Sequence, residues 1–434
     1  MDIPQPSQPT VSRRTLLGSV VGLTAGIGHV SRVATASSRT TLTAMTKNVY
    51  LGLDLSRLLQ TDSSFEFYAL IGQFLTDIDP AVYEARADGI AAEIDAAGAD
   101  VVGLQEAGII RTERPTETGT QSTRLDFLAR IRSALEKRDL SYRVAVKTVT
   151  TDIELATETA DGAITLSLAD RDVLLVRDGI DVTATTADTY DETVELEVPE
   201  NTQRVTLNRG YCLAEIRVDG VDLTTVSTHL ESTERDARAR QTEELLSVLP
   251  TDRPVVLCGD FNSGPGAATE TYDQLTEALD DPSPSLRSGE DGATCCQAAD
   301  LRNTDSQLDQ RIDGVLHRGD LDPTAVDRVG HRPDDRVSIQ SDGETVRLWP
   351  SDHAGVAATF ELPAGMDSAT TEKNLGKNES PSTSANRTEI NRNKTGTNNQ
   401  TESAAESETP GFGVVSTLAA LGGIGYLLNR RRDL

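Results

Sequence analysis

The stretch Pro254-Val255-Val256-Leu257-Cys258-Gly259-Asp260-Phe261-Asn262-Ser263 decides how this chain is read. Its first four residues are a short apolar run, which predicts a buried strand. A glycine, a carboxylate and a carboxamide follow at the strand's C-terminal mouth. Asp260 and Asn262 stand two apart, so on an extended chain both side chains point the same way. One anion beside one neutral hydrogen-bonding group suits a site that holds a metal or an attacking water. A strand that ends in a Gly-Asp turn is common, so its companions must carry the argument.

Further runs share the form of an apolar strand with polar residues at its end. Thr43 to Asn48 places an amide there, Asp100 to Glu106 a carboxylate, and Leu223 to His229 an imidazole. Arg311-Ile312-Asp313-Gly314-Val315-Leu316 carries an Asp in a short apolar run, and Ser351-Asp352-His353 precedes the strand-like Ala354 to Phe360. Together they offer carboxylates Glu106, Asp260, Asp313 and Asp352, amides Asn48 and Asn262, and imidazoles His229 and His353. Oxygen ligands with few imidazoles suit a hard cation such as Mg²⁺ or Mn²⁺ rather than a structural zinc. Two histidines with carboxylate neighbours suit acid–base work or a phosphate contact. Phosphoester hydrolysis needs charge neutralised on phosphate oxygens, a positioned water and a stabilised leaving oxygen, and this set supplies all three.

In that order, Asn48, Glu106, His229, Gly259-Asp260-Phe261-Asn262, Ile312-Asp313 and Ser351-Asp352-His353 resemble the endonuclease/exonuclease/phosphatase superfamily over Thr41 to Leu362. The motifs are specific for the superfamily and poorly specific for substrate. The resemblance implies an α/β fold, a four-layer α/β sandwich of two packed mixed β-sheets flanked by helices, with the site where strand ends from both sheets meet. It implies Glu106 as main metal ligand, helped by Asn48 and Asp352. Asp260 would position and deprotonate the water, and Asn262 would hold the phosphate or water. His353 would contact the phosphate, kept oriented and cationic by Asp313, and His229 would be a second phosphate or leaving-group contact. Many relatives carry a glycine-asparagine-alanine-type middle strand. Here its place is taken by Arg171-Asp172-Val173-Leu174-Leu175-Val176-Arg177, with Asp172 a weak candidate helper.

Composition bounds the partners. The 434 residues carry a formal charge of −28 and only six lysines, although Lys and Arg together number 41. Acid excess with scarce Lys in a well-patterned chain resembles a halophile's surface; a disordered acidic protein would lack the strand and helix patterns. High negative charge argues against nucleic acid. That argument weakens in brine, where the Debye length is about 3 Å at 1 M salt, but brine also suppresses affinity that rests on counterion release. Arg235, Arg238 and Arg240 follow His229 on an expected helix Glu231 to Val248, and interleaved acids read them as a solvated face. Arg111 and Arg114 are expected beside the substrate pocket.

The two ends give an address. Ser12-Arg13-Arg14-Thr15-Leu16-Leu17, a mildly apolar run and Ala34-Thr35-Ala36 resemble a twin-arginine export signal over residues 1–36. Residues 37–363 are the expected catalytic domain. Residues 364–409 read as a disordered Ser/Thr/Asn-rich stalk with glycosylation acceptors at Asn378, Asn386, Asn393 and Asn399. Pro410-Gly411-Phe412, an apolar run and Arg430-Arg431-Arg432 resemble a PGF-type sorting signal over 410–434, which implies an archaeosortase and a membrane anchor. A simple transmembrane anchor is the alternative, although Gly413 to Leu428 is short of the ~20 residues usual for a span.

The expected function is an exported, surface-anchored, divalent-metal-dependent phosphoesterase that hydrolyses phosphodiester or phosphomonoester bonds, with DNA or RNA, a phospholipid headgroup or a small phosphodiester as substrate. The contrasting class is a non-catalytic surface or adhesion module that retains the fold. Helices are expected over Pro80 to Ala97 and Thr123 to Lys137, a strand over Ser141 to Val149, and a hairpin at Asp219-Gly220. Leu55–Thr76 and Ile109–Ser122 read as insertions beside the site. His317 and His331 read as loop residues, and the adjacent Cys295 and Cys296 as unfavourable partners for each other.

Overall fold

The computed structural model describes residues 40–52, 61–116, 119–159, 162–197, 204–266, 269–286, 292–341 and 343–363. The expected export signal, stalk and sorting signal lie outside the described residues. Two sheets form the centre. The larger contains β1 (Thr41–Asn48), β2 (Val101–Gln105), β3 (Ile109–Thr116), β4 (Gly119–Asp126), β5 (Tyr142–Thr159), β6 (Gly162–Arg177), β14 (Asp322–Val329) and β17 (Gly355–Glu361). Its order is β14-β17-β1-β2-β6-β3-β4, with β5 also paired to β6. The smaller contains β7 (Asp181–Thr189), β10 (Gly210–Val218), β11 (Val221–His229), β12 (Val255–Asp260) and β13 (Asp313–Arg318), in the order β13-β12-β11-β10-β7. Two hairpins stand apart: β8 (Val194–Glu197) with β9 (Arg204–Leu207), and β15 (Val337–Ser341) with β16 (Glu344–Leu348).

The layers follow from strand alternation. Val101, Leu174 and Val176 face the gap between the sheets, where they meet Cys212, Ala214, Ile216, Leu223, Val256 and Cys258. Their neighbours Val102, Leu104, Val173 and Leu175 face the other way, against helices α1 (Ser64–Asp77), α2 (Pro80–Ala97) and α3 (Phe127–Glu136). On the far side, Val226, Val255, Leu257 and Leu316 pack with Leu245 of α4 (Arg235–Val248) and Leu275 of α5 (Thr269–Ala278). Both faces of each central strand are therefore covered, which is why these strands read as continuous apolar runs. The result is helices, sheet, sheet, helices, the expected four-layer sandwich. A Cβ on Gly103 would lie 2.8 Å from Ser227 Oγ and 3.0 Å from Cys258 Cβ, so the close approach of the sheets there requires glycine.

Local chemistry sets most element ends. Asp79 caps α2 by accepting from Ala81 N at 2.8 Å, Pro80 occupies its first turn, and Gly98 closes it at φ 61°. Asp219 and Gly220, at φ 46° and 83°, make the two-residue turn between β10 and β11. α3 starts at Phe127 rather than Thr123, because Thr123 to Asp126 pair with β3 and Asp126 then caps the helix through Ala129 N. α4 starts at Arg235, four residues later than expected. Neither expected insertion is peripheral. Phe67, Ile71 and Phe74 of α1 are buried in the core, and Ile109 to Ser122 belong to the β3–β4 hairpin of the larger sheet. His317 lies buried on β13 against Phe360, not in a loop. Cys212 and Cys258 are buried free thiols, and Cys295 is joined to Cys296, the pairing disfavoured from sequence. No helix among the described residues is long and apolar enough to cross a membrane.

Candidate active site

Strand register gathers the expected residues. In the smaller sheet His229, Asp260 and Asp313 stand side by side, because β11 and β12 run parallel and β13 returns antiparallel. In the larger sheet Asn48 pairs in register with Gln105, so Glu106 follows at the next position. β17 runs antiparallel to β1 with Thr46 opposite Val356, which leaves Ser351-Asp352-His353 just before it and next to Asn48. Ser351 Oγ donates to Asn48 O at 2.7 Å and accepts from His353 N at 3.2 Å, tying this loop to the end of β1.

Asn48 bridges the two sheets. Its Nδ2 donates to Glu106 Oε1 and to Asp260 Oδ2, both at 3.0 Å, and its Oδ1 accepts from Tyr50 N at 2.9 Å. Glu106 Oε2 accepts from Leu51 N at 2.8 Å. Asp260 Oδ1 accepts from Asn262 N at 3.0 Å. The chain turns at Asn262, whose φ is +48°, so Asp260 and Asn262 do not project together as on an extended strand. Asn262 Nδ2 instead donates to Leu230 O at 2.8 Å, and the amide locks the loop after His229. Of six described non-glycine residues with positive φ, Tyr50, Glu106 and Asn262 lie here. Such backbone costs about 1–3 kcal/mol per residue and concentrates at functional sites.

The two histidines have opposite characters. His353 Nδ1 lies 2.9 Å from Asp313 Oδ2 and 3.8 Å from Asp260 Oδ2, and Nε2 lies 3.9 Å from Asp352 Oδ1. Burial alone would lower its pKa, but Asp313, Asp352 and Asp260 hold it well above the usual imidazole range. His229 Nδ1 faces Arg209 Nη1 at 3.0 Å. A guanidinium N–H only donates, so Nδ1 accepts and the ring proton sits on Nε2, which lies 3.5 Å from Asp260 Oδ2. Burial first, then Arg209 and His353, push His229 well below its usual pKa and keep it neutral.

Arg209 is one of two residues that sequence reading missed. It is buried, with Glu231 at 3.7 Å, and it carries positive charge among Asp170, Glu106 and Asp172. Asn208-Arg209-Gly210 before a strand has no signal that distinguishes it from a surface arginine. Asp170 was also missed. Both carboxylate oxygens of the weak candidate Asp172 are buried without a hydrogen-bond partner. Burial, and then Asp170, raise the Asp172 pKa well above its usual value. Arg238 is not on a solvated face: it is buried and donates to Glu231 O at 2.7 Å and Ser232 O at 3.0 Å. Arg240 and Arg235 do lie exposed, beside Glu192 and Glu270. Arg111 is exposed and Arg114 half-buried on β3.

The donor set fits a hard divalent cation. Glu106, Asp170, Asp172, Asp260 and Asp313 crowd around the buried cations Arg209 and His353, so negative charge is in excess. Burial, followed by Asp170 and Asp352, pushes Glu106 up to about 7. Burial and Asp313 push Asp260 up to about 6. The orphaned oxygens of Asp172 and Asp313 Oδ1 point to the same deficit of positive charge. Oxygen donors of this kind suit Mg²⁺ or Mn²⁺.

The endonuclease/exonuclease/phosphatase profile matches residues 45–353, and a PGF-CTERM motif matches 409–432. No curated protein sequence matches the chain. Among solved structures, a family protein from Bacteroides thetaiotaomicron is 16% identical at TM-score 0.47, covering 74% of this chain and 98% of its own. A mannosyl-6-phosphatase from the same species is 15% identical at TM-score 0.46, over 74% and 100%. TDP2 from Caenorhabditis elegans is 16% identical at TM-score 0.40, over 74% and 75%. With the profile spanning well over half of its length, the chain belongs to the endonuclease/exonuclease/phosphatase family.

Proposed function

We propose that this chain is a phosphoesterase dependent on Mg²⁺ or Mn²⁺, and that Glu106, Asn48 and Asp352 hold the cation. The observation that carries this reading is the hydrogen-bonded chain Glu106–Asn48–Asp260, which joins a carboxylate-rich pocket to a poised base. The cation supplies charge neutralisation for phosphate oxygens. Asp260 is oriented from two sides, by Asn48 Nδ2 and Asn262 N. It orients a water and takes its proton. His353 donates from Nε2 to a phosphate oxygen while Asp313 fixes its ring through Nδ1. His229 donates from Nε2 to the phosphate or the leaving oxygen, its tautomer set by Arg209. Asn262 acts through the backbone turn rather than through its amide.

Membrane anchoring and the chain's acidity favour a lipid headgroup or small phosphodiester over a nuclease role, which would lack basic surface. The PGF-CTERM motif supports export, archaeosortase processing and anchoring at the cell surface, and the Arg13-Arg14 pair supports reading residues 1–36 as a twin-arginine signal. The halophile-like composition is part of the same reading.

Plasmid nicking at high salt, with Mn²⁺ or Mg²⁺ and with chelator, separates the substrates. Metal-dependent nicking that Asp260→Ala abolishes makes the enzyme a nuclease. Cleavage of phosphodiester lipids without nicking assigns the headgroup. Absence of both in folded protein overturns the proposal.

A further inference from the structure

Cys295 and Cys296 lie in a segment that the proposed chemistry does not use. That segment is clasped between the two loops that present Asp313 and His353. Thr294 N and Cys295 N donate to Gln310 O, and Asp309 N and Gln310 N donate back to Cys295 O. Thr294 Oγ1 accepts from Ile312 N at 3.0 Å and Asp313 N at 3.1 Å. On the other side Gln297 N donates to Asp352 O and Ala354 N to Thr294 O, both at 2.8 Å. The cysteine pair is thus held against His353 by backbone on both flanks.

In the disulfide the sulfur of Cys296 is only a weak acceptor, 3.9 Å from His353 Nε2. Reduction changes what the same atoms can do. Two thiolates and an imidazole are a donor set for soft and borderline cations, unlike the oxygen-rich set on the other side of His353. We propose that Cys295, Cys296 and His353 form a second metal site, for a thiophilic divalent cation such as Zn²⁺ or Cd²⁺, that opens when the Cys295–Cys296 disulfide is reduced.

The geometry supports this in three ways. One ligand atom from each of the three residues lies within 4.8 Å of the others. A cation that holds sulfur at about 2.3 Å and nitrogen at about 2.0–2.1 Å with tetrahedral angles sets those atoms about 3.6 Å apart. The observed 3.9 Å needs only a few tenths of an ångström of closure. Finally, His353 Nδ1 is already engaged by Asp313 at 2.9 Å, which leaves Nε2 as the ligand. A carboxylate on the far nitrogen is how metal-bound histidines are oriented. Cys296 is exposed while Cys295 and His353 are buried, so the cation has an entry and an enclosed seat.

The steps balance with a dithiol as reductant. The S–S bond breaks, the dithiol gives two electrons and two protons, and it becomes a disulfide itself. Cation binding then releases the two thiol protons and the Nε2 proton of His353. A cation on Nε2 removes the donor that His353 offers to phosphate, so filling the site inhibits hydrolysis. That last consequence rests on the proposed phosphoesterase function; the binding does not.

The test is a Cd²⁺ titration of the full chain, followed by the ultraviolet thiolate-to-cadmium absorption, before and after treatment with a dithiol that is then removed without air. One equivalent of Cd²⁺ is expected to produce the band only after reduction. Cys296→Ser and Cys295→Ser should each weaken or abolish it, and Asp313→Asn should weaken binding about 10–100-fold, as loss of an outer-shell partner does. A Cys212→Ala/Cys258→Ala protein should keep the band, since those thiols are buried in the core between the sheets. Circular dichroism checks that each variant is folded. Equal bands before and after reduction, no band at all, or a band that survives Cys295→Ser/Cys296→Ser overturns the site. A band without inhibition of Mn²⁺-dependent hydrolysis removes His353 as a ligand and overturns the three-residue site. Absence of hydrolysis in every form counts against the proposed function, not against the metal site.

Discussion

Lys47 and Asn48 are consecutive on β1 and face opposite ways, and their surroundings differ in a single respect. Lys47 is fully buried, paired with Glu93 of α2 at 2.8 Å, and donates to His353 O at 2.7 Å. Burial raises the Glu93 pKa and Lys47 opposes the rise. One cation meets one anion, and the pair holds helix to sheet. Asn48 meets Glu106 and Asp260 in a cluster where carboxylates outnumber cations and where Asp172 is left without a partner. A matched buried pair belongs to the fold. An unmatched cluster with strained backbone on three sides is completed by something from outside, and excess negative charge there asks for a cation.

The sharpest way to break that contrast is to remove each side. Asp260→Ala or His353→Ala should lower turnover about 10³-fold or more while the protein stays folded. Steady-state kinetics beside thermal melts reads both, and near-normal activity in either variant sinks the site assignment. Lys47→Met should do the reverse. It leaves Glu93 buried and unpaired, which costs about 3–5 kcal/mol of stability in denaturant titrations. Lys47→Met/Glu93→Leu should recover most of that loss, because a matched apolar pair replaces a matched ionic one. If the double variant is as unstable as the single, Lys47 does more than balance Glu93.

A smaller effect sharpens the fold side. Asp126 pairs with buried Arg171 at 2.6 Å and caps α3 through Ala129 N. Burial would raise Asp126, but the hydrogen bond and charge of Arg171 hold it below its usual pKa. A carboxylate depressed in the folded state stabilises above its unfolded pKa of about 3.9 and loses that contribution as pH falls through the lower folded value. Asp126→Ala should therefore cost about 1–2 kcal/mol near neutrality, and the gap from the parent should close below pH ~3.9. A gap independent of pH would contradict the charge pairing. At the small end, Arg240→Ala breaks an exposed, solvent-screened pair with Glu192 at 2.6 Å and should leave the thermal midpoint unchanged.

Much of this was legible in the sequence because strand ends are local. A buried strand announces itself by its apolar run, and the polar residue after it marks the mouth, so Asn48, Glu106, His229 and Asp260 could be read one strand at a time. What could not be read was whatever depends on a partner distant in sequence. Arg209 is 20 residues from His229, and only the pairing of β10 with β11 brings them together. Arg238 looked solvated because acids surround it in sequence, yet its helix turns it under the loop after His229. Asn262 misled because the alternation rule fails where the strand ends and φ turns positive. The β5–β6 arm ran past the expected Val149 for a related reason, since its end is set by pairing with β6 down to Gly162 rather than by its own sequence.

The measurement that tests the central claim most directly is hydrolysis of a simple activated phosphodiester by the full chain, with Mn²⁺ and with chelator, beside Asp260→Ala. The account predicts turnover that requires the metal and falls about 10³-fold or more in the variant. Turnover that persists in chelator, or equal rates for parent and Asp260→Ala, would contradict it.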